Sequence, residues 1–516
     1  MEDRTKTSLW ILILLLVVAQ QVLFSGYTMD DAFITFRYAR NVALGAGWVY
    51  NVGGPPVEGF TNFLWTLLLV PCFWFRIDPM RAAQILGALS SLGVLALTYR
   101  IARRGMENPH GKTALAAPLL LALTGSFTYQ AVTGLETQLF ALGLVTGVYF
   151  FLRSDARSLR WSAGGFLVAS LCRPEGLPLF AFTFAFLLVQ RFRRQVESPA
   201  VLTFALVYGL PLALFAAWRV HTFGDWLPNT YYAKVGPPGE MIREGALYVG
   251  SFFQTHGTLL PWALAVVPVV WRRWRPREVY LLSLCLVFLA IVVYEGGDWM
   301  PLHRLLAPIL PILYVLVAEG LDALRQGWTL IRQQRTPAVG AARALATLWL
   351  LAAAAVLAYP SLAVARESRV RQEQYRRSHV SLGLWLNEQC APDDKVALSD
   401  IGQIGYYCRR WVIDLAGLTD RTIARTPGGL HKKEYDPQYV LKQKPKYIVL
   451  VCAKVAGRFR IRGFETEKRL YHHPEFKQRY RLLPAVSARF KYKDDYSYWV
   501  FERIDEPQAA LPGEQS

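Results

Sequence analysis

The sequence predicts a polytopic α-helical membrane protein with a C-terminal soluble α/β domain, and three observations lead there. Of its 516 residues, 53% are hydrophobic and only 18% charged, with a mean hydropathy of +0.22; soluble chains of this length seldom combine the two. The apolar residues gather into runs near the roughly 20 residues that cross a bilayer, separated by short basic loops. From about Ser361 the runs shorten and turn chemistry takes over. The boundary therefore falls there, with 1–360 a membrane domain and 361–516 an exported α/β domain.

The apolar runs lie at 8–26, 82–99, 113–129, 136–152, 161–173, 176–190, 200–220, 257–271, 279–294, 303–322 and 341–360, about eleven spans. The first has a weakly basic lead (Arg4 and Lys6 against Glu2 and Asp3) and no small-x-small cleavage site after it. It reads as an uncleaved first span rather than a signal peptide. The two runs flanking Arg173-Pro174-Glu175-Gly176 are short and read as broken helices. Loop charge sets orientation, because Lys and Arg accumulate on the cytoplasmic side. The basic loops are Arg100/Arg103/Arg104/Lys112, Arg153/Arg157/Arg160, Arg191/Arg193/Arg194, Arg272/Arg273/Arg275/Arg277 and Arg325/Arg332/Arg335/Arg343. All of them are cytoplasmic if the apolar run at 60–75 is a re-entrant or juxtamembrane helix; if it spans, the first falls on the wrong side. The expectation is a cytoplasmic N-terminus, a bacterial inner membrane, and an extracytoplasmic tail.

In the tail, Arg366 to Cys390 has helical spacing, with Leu382, Trp385 and Leu386 on one face. Lys395–Leu398, Trp411–Leu415, Tyr447–Val451 and Tyr498–Glu502 read as short strands between Gly, Asp and Pro signals. Cys72, Cys172 and Cys285 sit in apolar stretches as small hydrophobes, while an oxidising compartment would permit a Cys390–Cys408 disulfide. The tail is basic at Lys432/Lys433, Lys442/Lys444/Lys446 and Arg458/Arg460/Arg462. That is either a solvated surface or a contact for anionic lipid or acidic glycan; nucleic acid is not expected outside a membrane.

With this orientation the motif-like clusters converge on the outer face. Charge at a membrane boundary is costly and is usually kept for function, although outer loops also simply tolerate acids. Asp30-Asp31 places two carboxylates just after the first span. The amphipathic stretch that follows, with Phe33, Phe36, Arg37 and Arg40 at helical spacing, suits a helix along the interface; one Asp of the pair could serve only as its cap. Glu58 and Asn62 stand before the 60–75 run. Glu136 opens a span, where a cap accounts for it equally well. Arg173 and Glu175 form a charged pair at a helix break, where unpaired charge is expensive. Asp225, Asn229, Tyr231, Tyr232 and Lys234 make a polar, aromatic loop of the kind that binds sugars, though Tyr and Trp also form interfacial belts. Asp298, Trp299, His303 and Arg304 precede a span, and an Arg beside backbone N–H groups suits a phosphate; snorkelling is the plainer account. No His-x-x-x-His, Cys-x-x-Cys, P-loop, nucleophile elbow or Rossmann fingerprint occurs, which argues against nucleotide-driven transport and nucleotide-sugar donors. A divalent cation, if used, would fall to Asp30, Asp31 or Glu58.

Asp-Asp-Ala-Phe-Ile-Thr-Phe-Arg at 30–37, Val-Glu-Gly-Phe-Thr-Asn-Phe-Leu-Trp at 57–65 and Gly-Gly-Asp-Trp-Met at 296–300 resemble the mycobacterial terminal β-arabinofuranosyltransferases and their broader bacterial relatives. The order of further pieces is similar too: Thr-Gly-Leu-Glu-Thr at 133–137, Arg-Pro-Glu-Gly at 173–176, Leu-Pro-Asn-Thr-Tyr-Tyr-Ala-Lys at 227–234 and Asp-Ile-Gly-Gln-Ile-Gly-Tyr-Tyr at 400–407. The resemblance implies a GT-C glycosyltransferase fold, a polyprenyl-phosphate sugar donor, and catalytic or metal-holding roles for Asp30 and Asp31. It implies a glycan, lipid or glycoprotein acceptor, with arabinofuranose the leading sugar. The donor phosphate is expected near Arg173, Lys234 and Arg304. The alternatives are a transporter or flippase of lipid-linked sugars, or a non-catalytic glycan-binding scaffold.

Overall fold

The computed structural model describes residues 2–26, 28–109, 111–255, 259–332, 370, 372–455, 458–461, 464–493 and 496–504. The expected span at 341–360, with Arg335, Arg343 and Arg462, lies outside them. The chain divides into two compact units: one of Met1–Tyr27, Met80–Ala216 and Gly239–Ser368, the other of Thr28–Pro79, Ala217–Pro238 and Arg369–Ser516.

The first unit is helical. Arg4–Phe24, Pro79–Gly105, Ser198–Phe223, Pro276–Tyr294 and Arg304–Gln326 are long and apolar enough to cross a membrane. Shorter apolar helices cover Thr137–Phe151, Ala156–Cys172 and Gly176–Phe192, so the break at Arg173-Pro174-Glu175 is real. The run at 113–129 is not one helix. Ala116–Leu123 and Gly125–Gln130 are separated at Thr124, whose backbone is extended and whose hydroxyl bonds the Leu120 carbonyl (2.7 Å) and the Tyr314 hydroxyl (2.8 Å). The run at 303–322 opens as a 3₁₀ turn, Arg304–Ile309, because Pro308 lacks the N–H that an α-helix would need, and then continues as Leu310–Arg332. Thr137–Phe151 and Ala156–Cys172 pack closely through glycines: a Cβ on Gly165 would lie 2.8 Å from the Gly143 carbonyl oxygen, the small-residue contact that holds apolar helices together without a hydrophobic drive. Two arginines read as loop charges are drawn inside, Arg272 to Glu278 at 2.9 Å and Arg277 to Glu319 at 2.8 Å.

The second unit is built on a mixed sheet. Its strands are β1 (Lys395–Leu398), β2 (Trp411–Asp414), β3 (Tyr447–Val455), β4 (Arg458–Ile461), β5 (Tyr480–Leu482), β6 (Lys491–Lys493) and β7 (Tyr496–Arg503). The order is β2-β1-β3-β7-β5, with β4 on β3 and β6 on β7. β1 is parallel to β2 and β3, whereas β7 runs antiparallel to β3. Both faces are buried, which is why β3 reads as an unbroken apolar run. Ile448 and Leu450 face one core with Ile413 and Phe501; Tyr447, Val449 and Val451 face another with Val396, Leu398 and Val500. That second core is completed by Ile34, Tyr38, Tyr50 and Phe60 from the Thr28–Pro79 segment. The helix Ala32–Ala43 is consequently buried on nearly every side. Phe63–Trp74 is a helix of 12 residues, about 18 Å long and short of a roughly 30 Å hydrocarbon core. All six cysteines are free and buried, so Cys390 and Cys408 form no disulfide.

Candidate active site

In an open α/β sheet, ligands gather beyond the carboxyl ends of strands where the strand order reverses. Here that point is β1, with β2 on one side and β3 on the other. The segment leaving β1 carries Asp400-Ile401-Gly402-Gln403 into the short helix Gln403–Cys408, and it meets the Asp30-Asp31 motif. Asp30 is buried, and its Oδ1 accepts the Gln403 backbone N–H at 2.7 Å. A Cβ on Gly402 would collide with the Asp30 carboxylate and carbonyl, so only glycine admits this approach. Burial raises the Asp30 pKa well above the usual carboxylate range, and the negative charges of Asp400 and Asp31 add to the effect. Asp31 occupies the N-cap position of Ala32–Ala43 but makes no side-chain cap bond.

Behind this pair lies a polar network that composition and spacing did not single out. Tyr496 and Tyr498 donate to Asp400 Oδ2 at 2.7 and 2.6 Å, and Tyr498 also meets His379 Nε2 at 2.7 Å. Glu467 accepts the Val451 N–H at 2.8 Å, and burial pushes its carboxyl up to about 8. Burial holds His379 down to about 4, against the opposing pull of Asp400. The charges of Asp400 and Lys234 both bear on the ring of His431, so the exposed Lys234 shares this neighbourhood. The motif at 400–407 was the available signal; Tyr496 and Tyr498 come from β7, and nothing local announces them.

The remaining residues of this unit divide by what they touch. Arg37 is a clamp: its guanidinium donates to the Tyr50 carbonyl at 2.8 Å, Asn51 Oδ1 at 3.1 Å and the Arg410 carbonyl at 2.7 Å, and it stacks over the Tyr50 ring. Asn62 donates to Thr35 Oγ1 at 3.1 Å, tying two helices together, and Asn229 donates to the Gly417 and Leu418 carbonyls at 2.8 and 3.0 Å. Arg40 bonds the Tyr406 carbonyl and lies over its ring. Tyr232 donates to Asp225, which also pairs with Arg425, while Tyr231 is exposed. Glu58 is buried beside Arg219 at 2.9 Å, yet burial still lifts its carboxyl to about 7. Asp30, Asp31 and Glu58 are not assembled as a metal centre: among the described residues no three His, Cys, Asp or Glu side chains gather to hold an ion.

In the helical unit, Arg173 is held between Glu136 (3.0 Å) and Glu175 (Nε to Oε1, 2.8 Å). Glu136 sits at an N-cap without capping through its side chain; its carboxylate serves the arginine. Arg304 donates from Nε to Asp298 Oδ2 at 2.8 Å, and His303 Nε2 meets Ser251 Oγ at 2.9 Å. Gly296 and Gly297 both have positive φ, +83° and +77°, which shapes the loop that carries Asp298. Trp299 is exposed.

The fold is GT-C-like, a helical membrane fold with a C-terminal mixed α/β region. It is similar to ArnT from Cupriavidus metallidurans solved with undecaprenyl phosphate: TM-score 0.58, 14% identity, covering 98% of this chain and 99% of that one. It is also similar to the archaeal oligosaccharyltransferase AglB from Archaeoglobus fulgidus, solved with an inhibitory peptide and a dolichol-phosphate: TM-score 0.57, 12% identity, 98% and 89% covered. In sequence, the chain is 27% identical over 386 residues to a terminal β-(1→2)-arabinofuranosyltransferase of Mycobacterium tuberculosis, covering 62% of this chain. It is 25% identical over 354 residues to the protein of the same name from Corynebacterium glutamicum, covering 58%. The aligned stretches span 58% and 49% of those relatives' own lengths. Residues 365–501 match a domain of unknown function, DUF8728.

Proposed function

We propose that this chain is a glycosyltransferase that moves a sugar, with arabinofuranose the leading choice, from a polyprenyl-phosphate donor to a cell-envelope glycan, lipid or glycoprotein. The observation that carries the reading is Asp30: a buried carboxylate with a raised pKa, held by a backbone N–H at the switch point of the sheet. A base works best when its pKa lies near the working pH. Asp30 takes the proton of the acceptor hydroxyl while the acceptor oxygen bonds the anomeric carbon. The bond from that carbon to the donor phosphate oxygen breaks, and the electron pair leaves with polyprenyl phosphate. Asp31 orients the acceptor, and Asp400, fixed by two tyrosine hydroxyls, positions Asp30 and helps set its pKa. Lys234 is exposed, and no described side chain pairs with it; it is the choice in its unit for offsetting charge on the leaving phosphate. Arg304 has one carboxylate partner and Arg173 two, so Arg304 is the better phosphate ligand of that pair. The fold shared with proteins solved with undecaprenyl phosphate and dolichol-phosphate, and the arabinofuranosyltransferase relatives, support the donor class. The basic-loop pattern supports a reaction on the outer face of a bacterial inner membrane.

The test is transfer in nanodiscs from synthetic polyprenyl-phosphate arabinose, then from other polyprenyl-phosphate sugars. Transfer by the parent chain that is lost in Asp30→Asn supports the assignment. An active Asp30→Asn sinks the role of the acid, and a parent inert with every such donor sinks the reaction.

A further inference from the structure

A cavity of about 480 Å³ opens in the helical unit where Pro79–Gly105 ends, within the roughly 300–1,000 Å³ range of small-ligand sites. Arg100, Arg103 and Arg104 line it, at the i, i+3 and i+4 spacing that puts them on one helix face. Trp10 and Tyr99 form one wall, edge to face at 5.1 Å, and Tyr149 forms another. The guanidinium of Arg104 lies 4.9 Å from the centre of the Tyr149 ring and that of Arg103 6.0 Å from Tyr99, so stacking holds both near the opening. No acidic side chain lines the cavity, and among the described residues no carboxylate pairs with any of the three arginines. Three solvent-exposed cations thus line one half-open cavity with no carboxylate among them. The helix C-terminal dipole and snorkelling would explain basic residues here, but not a ring-walled cavity among three helices.

Apolar tracks run away from it. One and two helical steps beyond Trp10, on the same side of Glu2–Phe24, Leu14 and Val18 are exposed. On Pro79–Gly105 the row leading from Arg100 reads Ala96, Leu89 and Ile85, all exposed. An anionic headgroup with hydrocarbon chains matches the two features together, and basic pockets between membrane helices are known to take such headgroups.

We propose that this cavity binds the phosphate headgroup of an anionic glycerophospholipid, with its acyl chains along these tracks. The site is independent of the sugar-transfer reading. The full chain, delipidated in detergent, is titrated with phosphatidylglycerol, phosphatidylcholine and inorganic phosphate, with bound molecules counted by native mass spectrometry. Phosphatidylglycerol should be retained over phosphatidylcholine. Each arginine is expected to contribute about fivefold, so Arg104→Gln should weaken retention about fivefold and the Arg100→Gln/Arg103→Gln/Arg104→Gln variant roughly a hundredfold. Trp10→Ala keeps the charges and opens the wall, and it too should lower retention should the triple variant fail to fold. Equal retention of both lipids, or unchanged retention in Arg104→Gln and Trp10→Ala, overturns the site. Inorganic phosphate binding as tightly as the lipid overturns the lipid assignment in favour of a soluble phosphate ester.

Discussion

Two buried groups of carboxylates in this molecule are held in opposite ways. Glu136 and Glu175 flank Arg173, whose guanidinium holds both in place. Asp30 lies instead against a backbone N–H, with Asp400 and Asp31 adding like charge nearby. Two acids that share one buried arginine form a strut, because removing any member leaves uncompensated buried charge. An acid that burial and like charge push toward neutrality is one that can exchange a proton during a reaction. On the proposed reading, the contrast separates structural from chemical acids more sharply than their shared presence in motifs.

The contrast can be broken most directly at Asp30. Asp30→Asn should lower transfer by up to about 10⁴-fold with the chain still folded, since proton transfer by a positioned group contributes roughly 10²–10⁴; turnover and a thermal melt check it together. Arg173→Gln should act on folding instead, costing about 3–5 kcal/mol by leaving two buried carboxylates unpaired. Replacing Arg173, Glu136 and Glu175 together by Met, Gln and Gln should restore much of that loss in a denaturation series. If the Arg173→Gln chain instead melts normally and loses only turnover, Arg173 belongs with the chemistry. Gly402→Ala, whose Cβ would meet both the Asp30 carboxylate and its backbone carbonyl, should cost about 10²-fold in kcat and also lower the melt.

The smallest effect sharpens the electrostatics. Glu467 titrates at about 8 when folded against an ordinary 4.5, so the folded unit binds its proton more tightly than the unfolded chain. Its contribution to stability is therefore fully present below about 4.5 and is lost as pH rises to about 8. Glu58 and Asp414, both raised to about 7, add to the same slope. His379, held down to about 4, works in the other sense between that value and 6.5. Glu467→Gln should flatten the alkaline decline, read as hydrogen exchange of the β3 amides between pH 5 and pH 8. An unchanged slope would place that proton elsewhere.

Much of this was legible in the sequence. Apolar run length located most of the described helices of the membrane unit but missed the amphipathic Pro238–Thr255, which carries no apolar run; alternating or continuous apolar runs located β1, β2, β3 and β7. Thr124 escaped because an extended residue inside an apolar run leaves hydropathy unchanged. β4, β5 and β6 escaped because each is short and carries Arg or Lys, so no apolar run marks it. In the site, Asp30-Asp31 stood out as adjacent charge at a membrane boundary. Arg37, Asn62 and Asn229 stood out for the same polar character, yet their donors answer backbone and side-chain oxygens inside the fold. Sequence registers that a buried polar group needs a partner, but not whether the partner is the protein or a substrate. Asp400 with Tyr496 and Tyr498 depends on strand pairing between distant segments, which no local period encodes.

The bond from Gln403 to Asp30 joins residues 373 positions apart. At a ribosomal pace of roughly 5–20 residues per second, the aspartate emerges about 20–75 s before the amide that seats it. Until then the segment that completes one face of the sheet has no sheet to cover. The seat of Asp30 is therefore completed last, once the final third of the chain is being made. A ribosome that stalls before residue 400 would leave Asp30 without the amide that seats it and without the neighbouring charge of Asp400.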